Sequence, residues 1–356
     1  MKKILYCVLL VLLVLGTTLG CKKESAGTDG SKKYRIALSN NYMGNDWRQV
    51  MLKTIQVVAA KPPYSEKVEL TIVNSENSPE AQSAAIDVMI EEGYDAILID
   101  AASPTALNPV IDRALAAGIV VVSFDNVVSN PKVHTIHIDL KANGKGWAEF
   151  IVKQLKPGDT VAIDTGLPGS TVGNDVYDAA MEVFQKAGIR VVAEFASEWS
   201  DGVGQQQIAS VLAANPDLDG LLCQAFGETI DAAFTQAGKP FIPCTGYHTN
   251  AGQLSALNKK IPFCSANNPP GNSAFALDVA LRLLEGEEIL PMDISVVPQF
   301  FAIPEYANVD IGYPITTIEK DVTVFDNAPG ALPWPVLPLP FTSVNLSIDE
   351  VANFKQ

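Results

Sequence analysis

A few short segments carry the side chains that could do chemistry in this chain. One is Asn40-Asn41-Tyr42-Met43-Gly44-Asn45-Asp46-Trp47-Arg48, another Asp125-Asn126; Asn174, Trp199, Gln224-Ala225-Phe226 and Tyr247-His248 supply the rest. Planar amides, a carboxylate, a guanidinium and indole rings are what a polyol needs. Amides and the carboxylate take hydroxyls in pairs, while Trp faces cover the C–H side of a sugar ring. Taken singly, each residue reads more plainly as a loop-capping amide or a core aromatic. What joins them is a shared position just past the ends of apolar runs, where open parallel sheets bind ligands.

Other chemistries fail on spacing. Gly166-Leu167-Pro168-Gly169-Ser170-Thr171-Val172-Gly173 is glycine-rich ahead of a helix but has no Lys after its last Gly, and its Ser lacks the flanks of a nucleophile elbow. The helix N-terminus there could still receive ligand oxygens through backbone N–H groups. His134 and His137 stand three apart in one expected strand, so they face opposite sides and cannot chelate together. No catalytic dyad or triad, no metal site and no cofactor is specified. Asp125 is the one firm carboxylate among these segments, whereas a glycoside-processing enzyme needs an acid and base pair. Binding is therefore the leading reading and catalysis the lesser one.

The elements that must position these groups alternate in type. From Tyr34 the apolar runs 34–39, 68–74, 96–99 and 120–124 read as strands, and 46–59 and 105–117 as helices. A further helix opens at Ser78-Pro79-Glu80 with an N-cap, a Pro in the first turn and an acid, and stops at Gly93. The pattern then restarts. Strands are expected at 135–139, 160–163, 190–196, 218–223, 241–245 and 263–266, and helices at 143–155, 171–186, 203–213, 229–237, 251–258 and 272–284. This is an α/β chain of two doubly wound parallel-sheet lobes. Beyond Ile294 the sequence turns rich in proline and aromatics and reads as extended or irregular structure packed on something.

The chain has 356 residues, 47% apolar and 18% charged, long enough for about two domains and too apolar for general disorder. A net charge of -15 argues against a protein that neutralises nucleic-acid phosphates. Residues 1–21 read as a secretory leader, because Met1-Lys2-Lys3 precedes twelve apolar residues, Ile4 to Leu15, too few for a bilayer span. The leader closes on Thr18-Leu19-Gly20-Cys21, which resembles a bacterial lipobox with Cys21 as the lipidated residue; the alternative is an ordinary cut near Gly20. Residues 22–33 read as a flexible tether. Cys223, Cys244 and Cys264 sit in apolar runs and read as buried thiols, one disulfide among them being the alternative.

On these residues the chain resembles the type I periplasmic sugar-binding proteins, the ribose, galactose and galactofuranose receptors of ABC importers. The most specific stretches are Tyr34 to Ser39, Ile97-Leu98-Ile99-Asp100-Ala101-Ala102-Ser103-Pro104, and Ala116 to Asp125. The resemblance implies that Asp125 binds sugar hydroxyls and that Trp47 and Trp199 stack on the ring. It places Asn126 where Arg is usual, Asn174 where Arg is frequent, Gln224 or Phe226 where an Asn or Asp stands, and Tyr247-His248 where an aromatic precedes Asp. Asn267 matches a polar hinge residue, and Asn41, Tyr42, Asn45 and Arg48 complete the expected site.

The resemblance also implies three crossings between lobes, near Ile138-Asp139, Asn267-Asn268 and Ser295. One lobe would hold 34–138 plus 268–295, the other 139–267 plus the tail 296–356. The expected protein is a monomeric, lipid-anchored solute-binding protein that hands a monosaccharide or polyol to an ABC importer permease. A same-fold alternative is a sensory receptor that signals to a chemoreceptor or kinase.

Overall fold

The structure is a computed structural model that describes residues 33–338, 341 and 343–353. The expected leader, the expected lipidation residue Cys21 and residues 22–32 of the expected tether lie outside the described residues.

The first sheet is built in the order of the sequence pattern. β1 (Tyr34–Asn40), α1 (Asp46–Ala59), α2 (Tyr64–Lys67), β2 (Val68–Asn74), α3 (Pro79–Glu91), β3 (Ala96–Asp100), α4 (Asn108–Ala116), β4 (Val120–Phe124) and β5 (His134–Ile138) follow one another. All five residues of β3 are buried, as a parallel strand covered on both faces requires. Ser78 starts α3 by accepting from the Ala81 N–H at 3.2 Å, with Pro79 in the first turn. α4 begins three residues later than the periodicity suggests, because Ser103 Oγ takes the N–H groups of Thr105 and Ala106 in a local turn.

The second sheet repeats the scheme with α5 (Leu140–Val152), β6 (Thr160–Asp164), α6 (Thr171–Ala187), β7 (Arg190–Phe195), α7 (Asp201–Ala214), β8 (Gly220–Leu222), α8 (Gly227–Ala237), β9 (Cys244–Tyr247), α9 (Asn250–Lys259) and β10 (Phe263–Asn267). α5 is displaced three residues toward the N-terminus of the expected range. Asp139, read from sequence as the last strand residue, is instead the N-cap, its carboxylate accepting from Ala142 N–H at 2.8 Å. α10 (Asn272–Leu284), β11 (Asp293–Val296), β12 (Gln299–Ala302), β13 (Ile315–Thr317) and α11 (Ile348–Asn353) complete the described chain.

The strand orders are β11-β5-β4-β3-β1-β2 and β13-β12-β10-β9-β8-β6-β7. In each lobe the first strand lies between the second and third, so the order reverses beside it and leaves a crevice at the strand C-termini. Pairing is parallel throughout except between β10 and β12. α10 is buried from Asn272 to Leu281 and packs beneath β3 and β4. Cys223, Cys244 and Cys264 are buried free thiols.

The chain passes between the sheets after Ile138, after Asn267 and between Val296 and Gln299. It then passes a fourth time. β12 and β13 extend the second sheet, and the backbone at 330–332 is held by the start of α9, Ala251 N–H to Gly330 O at 2.9 Å and Asn250 N–H to Leu332 O at 3.1 Å. From Val336 the chain belongs to the first lobe: Val336 O accepts from Gly271 N–H at 2.7 Å, and Phe341 stacks on Phe275 with centroids 5.5 Å apart. Val344 joins the core of β1 and α10. The tail expected wholly in the second lobe is therefore divided. The physical reason is its second apolar cluster, Val336, Phe341, Val344 and Val351, which finds its partners on α1 and α10. Among the described helices none is long and apolar enough to cross a membrane.

Candidate functional site

A pocket lies where the C-terminal strand ends of the two lobes meet. Its first-lobe wall is Asn45, Trp47, Arg48, Asp125 and Asn268; its second-lobe wall is Val172, Trp199, Phe226 and Tyr247. One wall is charged and polar, the other mostly aromatic.

The polar wall is set by the start of α1. Asn45 caps the helix by accepting from the Arg48 N–H at 3.0 Å, which fixes Trp47 and Arg48 in the first turn. Trp47 Nε1 donates to Asn268 O at 2.7 Å, and the Arg48 guanidinium lies 4.9 Å from the Trp47 ring centroid. Arg48 is 3% exposed and runs between two carboxylates, with Nη1 on Asp100 and Nη2 3.3 Å from Asp125 Oδ2. Burial pulls its pKa below the ordinary value and Asp125 opposes this; a guanidinium starts so high that it keeps its charge.

Asp125 sits at the end of β4 with φ +56, a left-handed conformation that Asp tolerates better than most residues. Its Oδ1 accepts from Asn268 Nδ2 at 2.8 Å and its Oδ2 from Asn126 Nδ2 at 3.0 Å. A carboxylate has about four lone-pair sites, so with Arg48, Asn126 and Asn268 satisfied there is still capacity to accept from a ligand. Asn126 also donates to Asp100 Oδ1 at 3.2 Å, and its own Oδ1 accepts from Ser170 Oγ at 2.8 Å. That last bond joins the two lobes across the cleft. Asn41 and Asn126 line an adjoining pocket with Ser170.

On the aromatic wall Glu198 and Trp199 take φ of +54 and +50 in succession, strained for side chains of this size. Trp199 is held on its N–H by Ser197 Oγ at 3.3 Å. Tyr247 lies edge-on to Trp147, centroids 5.1 Å apart, and is buried with its hydroxyl beside the Asn143 side chain. Burial pushes the Tyr247 pKa far up, and the Asp125 and Asp164 carboxylates add to the shift, so the phenol keeps its proton.

Several expected site residues stand elsewhere. Gln224 is a bracket beneath the cleft: its Nε2 donates to Asp164 O at 2.9 Å and Gly173 O at 3.2 Å, while Asp164 accepts from the N–H groups of Gly166, Ser197 and Gln224. His248 follows Tyr247 and so faces the opposite way, against Phe301 with centroids 4.3 Å apart; burial lowers its pKa to about 3, leaving it neutral. Asn174 is exposed on α6. Asn267 is turned to the tail, donating to Pro335 O at 2.8 Å, and its neighbour Asn268 reaches the cavity instead. The Tyr42 ring folds over Gly44, and its residue is not among those lining the cavity. Asn268, Val172 and the buried Asp100 were missed. Strand alternation beyond Asn267 could have flagged Asn268, whereas Val172 carries no chemical signal.

Beside this cavity, Glu228 and Asp201 of the second lobe and Asp46 of the first line one pocket that shares Asn45, Trp47, Trp199 and Phe226 with it. Among the described residues no cluster of His, Cys, Asp and Glu is placed to hold a metal ion.

A family described as the periplasmic binding protein domain matches residues 36–288. This chain belongs to that family. The two sheets and their strand order make it a type I periplasmic binding protein. It is 27% identical over 269 residues to the D-ribose/D-allose-binding protein of Pseudomonas aeruginosa, covering 72% of this chain and 84% of that one. The ribose import binding protein of Bacillus subtilis is 24% identical over 301 residues, covering 81% of this chain and 95% of that one. Among solved structures, an ABC transporter solute-binding protein from Thermobispora bispora superposes with TM-score 0.71 at 26% identity, covering 78% of this periplasmic binding protein and 89% of that chain.

Proposed function

We propose that this protein is the lipid-anchored solute receptor of an ABC importer, and that it captures a monosaccharide or polyol between its lobes. The observation that carries the reading is the cavity itself. A buried carboxylate with spare acceptor capacity, Asp125, is braced by Arg48 on one lobe and faces Trp199, Phe226 and Tyr247 on the other. Hydroxyls suit the first wall and the C–H face of a sugar suits the second. The ribose-binding relatives support the same class of ligand. No second carboxylate lines this cavity, which fits capture better than hydrolysis.

Closing on the ligand by hinge motion would bury it, and a permease would receive it from the closed form. A thermal-shift panel of pentoses, hexoses and polyols tests the reading, since a ligand that binds only the native state raises its Tm. At least one member should raise it in a concentration-dependent manner, and a flat panel would count against a sugar. Anchoring is separable. Cys21→Ser should move the protein from the membrane fraction to the soluble one, and unchanged retention would remove the lipoprotein claim.

A further inference from the structure

Tyr247 supplies the one hydroxyl on a wall otherwise made of Val172, Trp199 and Phe226. That hydroxyl is buried beside the Asn143 side chain, whose amide can donate to its oxygen, while no hydrogen bond engages the hydroxyl's own proton, which is unfavourable for a buried donor. Across the cavity, on the other lobe, Asp125 only accepts hydrogen bonds. The two groups are complementary to a single kind of atom. A ligand hydroxyl has one O–H to give and lone pairs to receive, so it can donate to Asp125 and accept from Tyr247 at once. A carbonyl or carboxylate oxygen would set lone pairs against the Asp125 carboxylate, and a methyl ether has nothing to donate.

Resting on the sugar or polyol reading above, we propose that Tyr247 is a specificity-determining residue, pairing with one ligand hydroxyl that also donates to Asp125 and so ties the two lobes together. The ligand class this selects is an alcohol with a free hydroxyl at that one position and a mainly C–H face toward Trp199 and Phe226. Recognition by the second lobe then turns on one hydroxyl, with no charged group on that wall.

The test is a calorimetric titration of the full chain with the tightest sugar or polyol of the panel and each of its monodeoxy analogues. Wild type and Tyr247→Phe are compared, the latter keeping the ring and its packing on Trp147. In the wild type, removal of one particular hydroxyl should weaken binding at least tenfold. In Tyr247→Phe the parent sugar should itself bind about tenfold more weakly, and removal of that same hydroxyl should then cost less than in the wild type by at least threefold. Identical deoxy profiles in the two proteins would overturn the proposal while leaving sugar binding intact. A wild type that binds no member of the panel would overturn the function reading, and this proposal with it. Thermal unfolding of Tyr247→Phe within a few degrees of wild type shows that the comparison is between folded proteins.

Discussion

Two carboxylates converge on the Arg48 guanidinium, and that convergence orders the first-lobe wall. Removing the cation would leave Asp100 and Asp125 buried without it. Arg48→Met should therefore destabilise the protein by about 3 to 5 kcal/mol, the range for breaking a buried pair by removing one partner, read as a shift of the urea midpoint. An unchanged midpoint would mean that the pair is not buried in solution. The same residue scale shows where sequence reading stops. Trp47, Arg48, Asp125, Trp199 and Tyr247 were legible because chemistry gathers beyond strand ends in this class of sheet. The errors are neighbours. His248 and Asn267 face away from the cavity that Tyr247 and Asn268 line, because successive residues of an extended chain face opposite sides and the phase at the last strand residue is set by packing. Gln224 departs for a related reason, since an amide that ties the end of β6 to the start of α6 looks in sequence like one that meets a ligand.

Among the elements, most boundaries follow from caps and apolar runs: α1, β2, β4 and α10 coincide with their expected ranges. The tail did not yield, because its apolar residues are broken up by prolines with no period of 2 or 3.6, and only the surfaces of both lobes reveal what they cover. Phe341→Ala removes a buried ring stacked on Phe275 and should cost about 3 kcal/mol in chemical unfolding, although it lies near the chain end. A loss under 0.5 kcal/mol would show that this part of the tail is not docked on α10.

The start of α8 gives a second prediction at this scale. Burial raises the Glu228 pKa from 4.5 to about 7, opposed by a 2.6 Å bond from Thr249 Oγ1 and reinforced by Asp201 on α7 and Asp46 on α1. The native carboxyl thus holds its proton where the unfolded chain has lost it. Its contribution is fully present below about 4.5 and lost as pH rises through 7, on the order of 3 kcal/mol over that window. The Tm should fall from pH 5 to pH 8, and Glu228→Gln should flatten that fall. An equally steep decline in the variant would assign it to other groups.

For the whole molecule, the duplicated strand order places two crevices mouth to mouth, and only the crossing segments and the tail join the lobes covalently. Trp47 belongs to one lobe and Trp199 to the other, yet both line the same cavity. A saturating ligand should change the Trp fluorescence and lower the radius of gyration in solution scattering. Constancy of both would deny closure. The strap from 332 to 336 spans the same divide, so the amplitude of opening is expected to be modest beside that of a protein with three crossings.

The central claim is that Asp125 takes ligand hydroxyls inside this cavity. Calorimetric titration of wild type and Asp125→Ala with the best ligand of the panel addresses it most directly. A hydrogen bond to a charged group contributes about 1.5 to 3 kcal/mol, so with the one such bond that Asp125 has room for lost, the affinity should drop at least about tenfold while the far-UV circular dichroism is unchanged. A folded Asp125→Ala that binds the same sugar within threefold of wild type would contradict the account.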